Sequence, residues 1–565
     1  MENENEILWT SGFINERLPA PISPLGWSHI GPFVEELALR DPLRSLGYPH
    51  AETLPLTRLW RGHPYANARA FQIFYRVFPD FLLPEDAARY FPDGDVSLRR
   101  RASYPRWMDA PRLLFSLLRT FLADPFNVSP LHNYRHWARY TREHDARTAA
   151  LRARLDSWTA SEHTEGDHPS TECTLTKEGL GAGSASPLRD PREVFDALRE
   201  AEQLHRGVLR IHRWSLMDAD LTFGLLKRLV AAWIDRAHAN DLAARLVADV
   251  PNKTLEVDAA LREMRNDKLQ MKSEKWRVFL AEHGHRSFSI DIAAPTFAEE
   301  PAQIRTLLGV TEDERGMTND GSASSSFVPQ SGPSAWFKKA IFGYTLALAR
   351  RYLALREDQR YYWQKSLAAA RRLYLMLAER LRADSVIAER NAVFYATHQE
   401  LAAYFQAKLS KGELADRITA RQAEWHVYQR EFEQSPSASY PAFLRDDIPL
   451  PRVGAGSPRP ACWRGRAISP GIARGVARVV PSAGALPRVQ RGDILIAPAT
   501  DPAWTPVFAR LAGLVVERGG VLSHSAVVAR EYHIPAVAGI ANIVAEIQEG
   551  EVIEVDGSRG IVSIV

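Results

Sequence analysis

The stretch Gly519-Gly520-Val521-Leu522-Ser523-His524-Ser525-Ala526-Val527-Val528-Ala529-Arg530-Glu531 sets an imidazole where an anion is easily held. Paired Gly519 and Gly520 permit a backbone turn that other residues resist. Ser523 is placed to cap a helix running through Ala526 to Glu531. His524 then falls in the first helical turn, where unpaired N–H groups and the positive end of the helix dipole attract anions. Imidazole is also a competent nucleophile near neutral pH, its unperturbed pKa being about 6.5. A nucleophile and an anion cradle within a few residues suit a covalently held phosphoryl group on His524, with Gly519, Gly520, Ser523, Ser525 and Arg530 as its supporting loop and helix. His533, half a turn out of phase with His524 on any shared helix, does not pair with it as a metal ligand.

A second cluster, His283-Gly284-His285-Arg286, offers a general base and positive charge near an acceptor hydroxyl. A structural role at a helix end is the competing reading of these residues. A metal site would need a third ligand, and none is adjacent, so no metal is expected. Trp27 is a candidate pocket wall, although aromatic residues of a helical body more often serve as core. Only Cys173 and Cys462 occur, far apart, which excludes a disulfide framework and a thiolate zinc site.

The elements that must position these residues follow from the rest of the chain. Its 565 residues exceed one hydrophobic core and imply several domains. The 71 Lys and Arg are nearly balanced by 68 Asp and Glu, so nucleic acid is not an expected partner. Residues 1–435 read as mainly helical, with apolar residues three and four apart in Leu221–Val250 and Ile341–Arg382. Polar stretches at 159–187 and 311–333 interrupt them as expected mobile loops. Residues 436–462, rich in Pro, Ser and Gly, read as a linker. Beyond it, residues 463–565 carry short β-like runs at Ala473–Val480, Asp493–Ala497, Gly513–Val516, Ala536–Gly539, Val552–Val555 and Gly560–Val565. The expected architecture is therefore multidomain: a mainly α-helical N-terminal body followed by a C-terminal α/β domain. The acidic N-terminus lacks a signal-peptide pattern and no uncharged run approaches a membrane span, so a cytoplasmic protein without membrane contact is expected.

Residues 465–565 resemble the swivelling phosphohistidine domain of phosphoenolpyruvate synthase, pyruvate phosphate dikinase and rifampicin phosphotransferase. The resemblance is carried by Ala467-Ile468-Ser469-Pro470-Gly471 with Gly475, by Gly492-Asp493-Ile494-Leu495, by Thr500-Asp501-Pro502-Ala503-Trp504-Thr505-Pro506, and by Gly519 to Gly539. It implies that His524 is the phosphorylated residue. Upstream, the segments Leu18 to Ser28, Phe279 to Ile292 and Ala347 to Arg360 are similar, more patchily, to the helical acceptor-binding region of rifampicin phosphotransferase. There a basic pair four residues apart faces the phosphohistidine, and the matching positions are Arg356 and Arg360. Their spacing places both guanidinium groups on one helix face, where they can hold phosphoryl oxygens or simply pair with Glu357 and Asp358.

Family members usually make the phosphohistidine with an ATP-grasp domain, and no such nucleotide fold is legible in residues 1–435. A separate ATP-grasp subunit holding ATP and Mg2+ is therefore expected, with no cofactor bound tightly by this chain. The β/α barrel that binds pyruvate in phosphoenolpyruvate-forming members is also not found, so the expected acceptor is another small hydroxyl compound. The split arrangement resembles that of phenylphosphate synthase, which suggests a phenol. The alternatives are a phosphocarrier or regulatory subunit, and a drug-modifying subunit similar to rifampicin phosphotransferase.

Overall fold

The computed structural model describes residues 6–12, 18–77 except 46 and 49, 91, 111, 114–115, 118, 130–160, 189–266 except 237 and 248–249, 274–301, 335–434, 440–450, 460–500, 504–520 and 523–565. The loops expected at 159–187 and 311–333 fall, apart from residues 159 and 160, outside the described residues.

The body is organised by two long helices, α3 (Pro191–Trp233) and α6 (Ala335–Ala383). At about 1.5 Å per residue, the 49 residues of α6 run for about 70 Å. The two pack along their length through apolar residues at helical spacing. Ala197, Leu198 and Ala201 meet Leu373, Leu377 and Leu381 in one buried cluster, and Val208 and Leu209 join Leu348, Tyr352 and Leu355 in another. Around this pair lie α1 (Pro24–Phe33), α2 (Pro130–Ala160), α4 (Lys253–Asn266), α5 (Glu274–His283), α7 (His398–Phe405) and α8 (Lys411–Gln434). The helical pattern read over Leu221–Val250 is broken: α3 ends at Trp233 and a separate short helix covers Ala239–Leu246.

The body also holds a five-stranded antiparallel sheet that helical periodicity does not reveal. Its order is β2 (Thr57–Trp60), β3 (His63–Asn67), β1 (Leu8–Thr10), β4 (Phe443–Arg445) and β5 (Ile448–Pro449). Two of these strands lie within the segment read as linker. Leu8, Trp9 and Thr10 pair with Arg445, Leu444 and Phe443, and Leu444 is fully buried beside Trp9 and Tyr65.

The segment after α5 is tied down from several sides. The Ser23 hydroxyl caps α1 by accepting from the Gly26 N–H at 3.0 Å, and it donates to the Asp291 carboxylate at 2.6 Å. Arg371 donates to the Ile292 and Ala293 carbonyls at 2.9 Å, and Gln364 to the Ser287 carbonyl at 2.9 Å.

The C-terminal α/β domain is built on an eight-stranded sheet in the order β6 (Cys462–Arg464), β13 (Ile561–Ile564), β12 (Val552–Asp556), β8 (Ile472–Val479), β9 (Ile494–Ala497), β10 (Gly513–Val516), β11 (Ala536–Ala538), β7 (Arg466–Ser469). Strands β8 to β11 are mutually parallel, and β9, β10 and β11 are buried at every position. Near-continuous apolar strands are what a parallel sheet covered on both faces requires. Alternation distributes them: Leu495, Leu514, Val516 and Ala536 face α9 (Thr505–Phe508) and α10 (His524–Glu531), whereas Ile494, Ile496, Val515 and Val537 face α11 (Ile543–Glu546). The domain rests on the body, where Phe288 packs against the core of both.

Candidate functional site

Helix α10 starts at His524. Ser523 has extended backbone angles and its hydroxyl accepts from the Ala526 N–H, the N-cap expected from the sequence. Gly519 has φ of +133°, and a Cβ there would lie 2.8 Å from the Ser523 hydroxyl, so the close approach of this turn to the cap requires glycine. Ser525 exchanges a hydrogen bond of 2.8 Å with Thr500. Arg530, at the far end of the helix, donates to the Ile468 carbonyl at 3.0 Å and so fixes α10 to β7 rather than reaching the histidine.

The His524 ring points out of the C-terminal domain into the face of α6. Its side chain is 8% exposed, its edge packs on Phe508, and its Nδ1 lies 3.7 Å from Oε2 of Glu357. That distance is within ion-pair range and beyond hydrogen-bond reach. Neither ring nitrogen has a hydrogen-bond partner among the described residues. Arg356, Glu357 and Arg360 of α6 face Thr500, Arg518, Ser523, His524 and Ser525 across a cavity of about 40 Å3. About 10–15 Å3 of such space holds one water, so the cavity accommodates about three water-sized groups, the scale of the three oxygens of a phosphoryl group.

The electrostatics suit a neutral nucleophile beside a fixed anion. Burial lowers the His524 pKa, with Arg360 and Arg286 acting in the same direction and Glu357 opposing, so the imidazole is neutral at neutral pH. Burial acts to raise the Glu357 pKa, but the contact with the His524 ring and the charges of Arg356 and Arg360 outweigh it and hold the carboxyl below the usual carboxylate range. Asp358 turns elsewhere: its carboxylate accepts from the Lys253 N–H at the start of α4 at 2.7 Å, and burial raises its pKa to about 7.

Of the sequence candidates, His524, Ser523, Ser525, Arg356 and Arg360 come together at this cavity. His283, His285, Arg286 and Trp27 are not among its lining residues. Arg286 is completely buried, its guanidinium 6.0 Å from the Tyr361 ring centroid, and burial lowers its pKa to about 10. His285 stands edge-on to Tyr361 at 4.5 Å, and burial keeps both it and His283 neutral. Trp27 packs on the core of the body against Gly31. Glu357 is the site residue that sequence reasoning took only as a charge partner for its neighbours; nothing local to α6 signals that its carboxylate meets an imidazole from another domain. Away from the cavity, His29, Glu202 and His398 bring potential ligand atoms within 4.8 Å of one another. Both imidazoles there are hydrogen-bonded through Nδ1 to the Tyr374 hydroxyl, at 3.1 and 2.7 Å.

Residues 489–560, which include β9 to β12 and the His524 helix, match the family described as PEP-utilising enzyme, mobile domain. The C-terminal domain is thus similar to the mobile, phosphohistidine-type domain of PEP-utilising enzymes. Ahead of this mobile domain, residues 244–357 match the rifampicin phosphotransferase fourth domain, a stretch that contains the His283–Arg286 cluster and ends at Glu357. Among curated proteins, a chondramide synthase of Chondromyces crocatus is 32% identical over 51% of the chain and 8% of its own length. A rifampicin phosphotransferase of Streptomyces sviceus is 29% identical over 51% of the chain and 34% of its own. A phosphoenolpyruvate synthase of Deinococcus radiodurans is 45% identical over 17% of the chain and 12% of its own, a length close to that of the mobile domain alone. The chain thus spans about a third or less of these relatives. No described helix is long and apolar enough to cross a membrane.

Proposed function

We propose that this chain carries a phosphoryl group on His524 and transfers it to a small hydroxyl-bearing acceptor at the helical body, as part of an ATP-dependent phosphotransferase of the rifampicin phosphotransferase type. The observation that carries this reading is the placement of His524, at a helix N-terminus, across a phosphoryl-sized cavity from Arg356 and Arg360. Two guanidinium groups and a helix start neutralise phosphoryl oxygens, and phosphoryl transfer needs chiefly positioning and charge stabilisation. The neutral imidazole keeps a lone pair free for phosphorus. In this reading the structure corresponds to the docked state in which the group is delivered.

The donor is ATP with Mg2+, bound outside the residues seen here by an ATP-grasp domain or subunit. The cavity has no room for an acceptor beside a phosphoryl group, so the mobile domain must shift for the acceptor to enter. A phenol is the leading acceptor class, by analogy with phenylphosphate synthase.

Incubating the chain with labelled ATP, Mg2+ and a candidate ATP-grasp partner tests the reading. Acid-labile, alkali-stable label is expected on the wild type and not on His524→Ala. Label retained by that variant would reject the assignment.

A further inference from the structure

The two arginines suit an incoming phosphoryl group, but the carboxylate between them does not. Glu357 puts a negative charge, 11% exposed on its side chain, beside the place where a dianion is to sit. Like charges at such range repel, so another interaction must account for the position. The contact supplies it: Glu357 faces Nδ1 of His524, leaving Nε2 as the nitrogen without a neighbouring anion.

We propose that Glu357 keeps a proton on Nδ1 of phosphorylated His524, and so makes the imidazole a good leaving group during transfer. The inference rests on the phosphoryl-carrying reading of His524. With phosphorus on Nε2 and a proton on Nδ1, the ring is cationic. The acceptor oxygen attacks phosphorus, the P–O bond forms, and the Nε2–P bond breaks with its electron pair returning to Nε2. The ring leaves as neutral imidazole still protonated on Nδ1, and the acceptor's hydroxyl proton passes to water. Without the Nδ1 proton the leaving group would be an imidazolate anion, which is far more basic. Glu357 touches the ring and not the phosphoryl group, so its role is to position that proton.

The other charged groups facing His524 are Arg356 and Arg360 of α6, Arg518 from the loop after β10, and Arg286 from the segment after α5. Burial lowers the Arg286 pKa only to about 10, above the range of pH 5 to 9. His283 and His285 are neutral over that range through burial. Asp358, beside Glu357 on α6, titrates at about 7 and is common to the proteins compared.

The test loads the full chain with phosphate using potassium phosphoramidate, which phosphorylates histidine rings chemically. Loss of the group to water is then followed by 31P NMR from pH 5 to 9, taking only the signal missing in His524→Ala. The rates of wild-type and Glu357→Gln proteins should converge toward the acid end of the range, as bulk acid protonates the ring in both. The midpoint of the rate profile should fall by about one to two pH units in Glu357→Gln, and Glu357→Asp should restore most of that shift. Superimposable profiles for wild type and Glu357→Gln would overturn the inference. Absence of any His524-dependent phosphate, even with the ATP-grasp partner and ATP, would instead overturn the underlying function.

Discussion

Removing Arg360 separates charge stabilisation in transfer from any role in fold. The residue is 8% exposed and lines the cavity with His524, so its charge acts through an interior of low effective dielectric. A unit charge about 5 Å from a phosphoryl oxygen, at an effective dielectric near 20, contributes about 3 kcal/mol. The phosphorylated ground state already feels much of that attraction, and only the part that grows as charge redistributes lowers the barrier. Half of it, about 1.5 kcal/mol, corresponds to about a tenfold rate loss, and the whole to about a hundredfold. Arg360→Ala should therefore accept phosphate on His524 at close to the wild-type rate, because charging is proposed to take place away from α6. It should then discharge ten- to a hundredfold more slowly, so that phosphohistidine accumulates. Pulse-labelling with ATP and the partner, followed by a chase in unlabelled ATP with phenol or with water alone, measures both steps. Equal discharge by wild type, Arg360→Ala and Arg356→Ala would refute the reasoning and leave the pair as ordinary helix-surface charges.

Further expectations concern single residues. Isothermal titration of the chain with ATP and Mg2+ should show no micromolar binding, since the donor site is proposed to lie elsewhere; a micromolar isotherm would reveal a nucleotide site within the chain. Ser523→Ala removes the cap of α10 and should cost about 1 kcal/mol in denaturant unfolding of the C-terminal domain. Glu400 caps α7 and pairs with Arg421 and Arg417 of α8; burial acts to raise its pKa, but these partners hold it at about 2. Its folded pKa lies below the unfolded value of about 4.5, so this contribution is present above that pH and is lost as pH falls toward 2. Melting temperature should drop over that window, and Glu400→Gln should flatten the drop.

The C-terminal domain was the most legible part of the sequence. The runs at Gly513–Val516 and Ala536–Gly539 correspond to β10 and β11 within a residue, because buried parallel strands are short, apolar and bounded by turn residues. The N-cap at Ser523 was equally visible, being a local interaction. The sheet of the body was not, since β1 is only three residues long and finds its partner β4 more than 430 residues away. Pairing at that distance leaves no local periodicity to read. For the same reason spacing alone put Arg356 and Arg360 on one face but could not say that Glu357 shares it with an imidazole from another domain. The His283–Arg286 cluster drew attention through its chemistry; packing sets His285 and Arg286 against Tyr361 and off the cavity lining, from where Arg286 still acts on His524 through its charge.

If His524 is carried between two sites as proposed, the pairing of β4 with β1 shortens the stretch of chain that can span the movement. From composition, the whole of residues 436–462 served as tether, with a contour of about 90 Å. The chain is instead held down through Leu450, whose N–H donates to the Phe443 carbonyl, and is taken up again by β6 at Cys462. Those twelve residue steps reach about 40 Å when fully drawn out. An ATP-grasp site of the kind proposed above would then have to meet the histidine near the β4–β5 hairpin, within a radius set by that contour length and the breadth of the C-terminal domain.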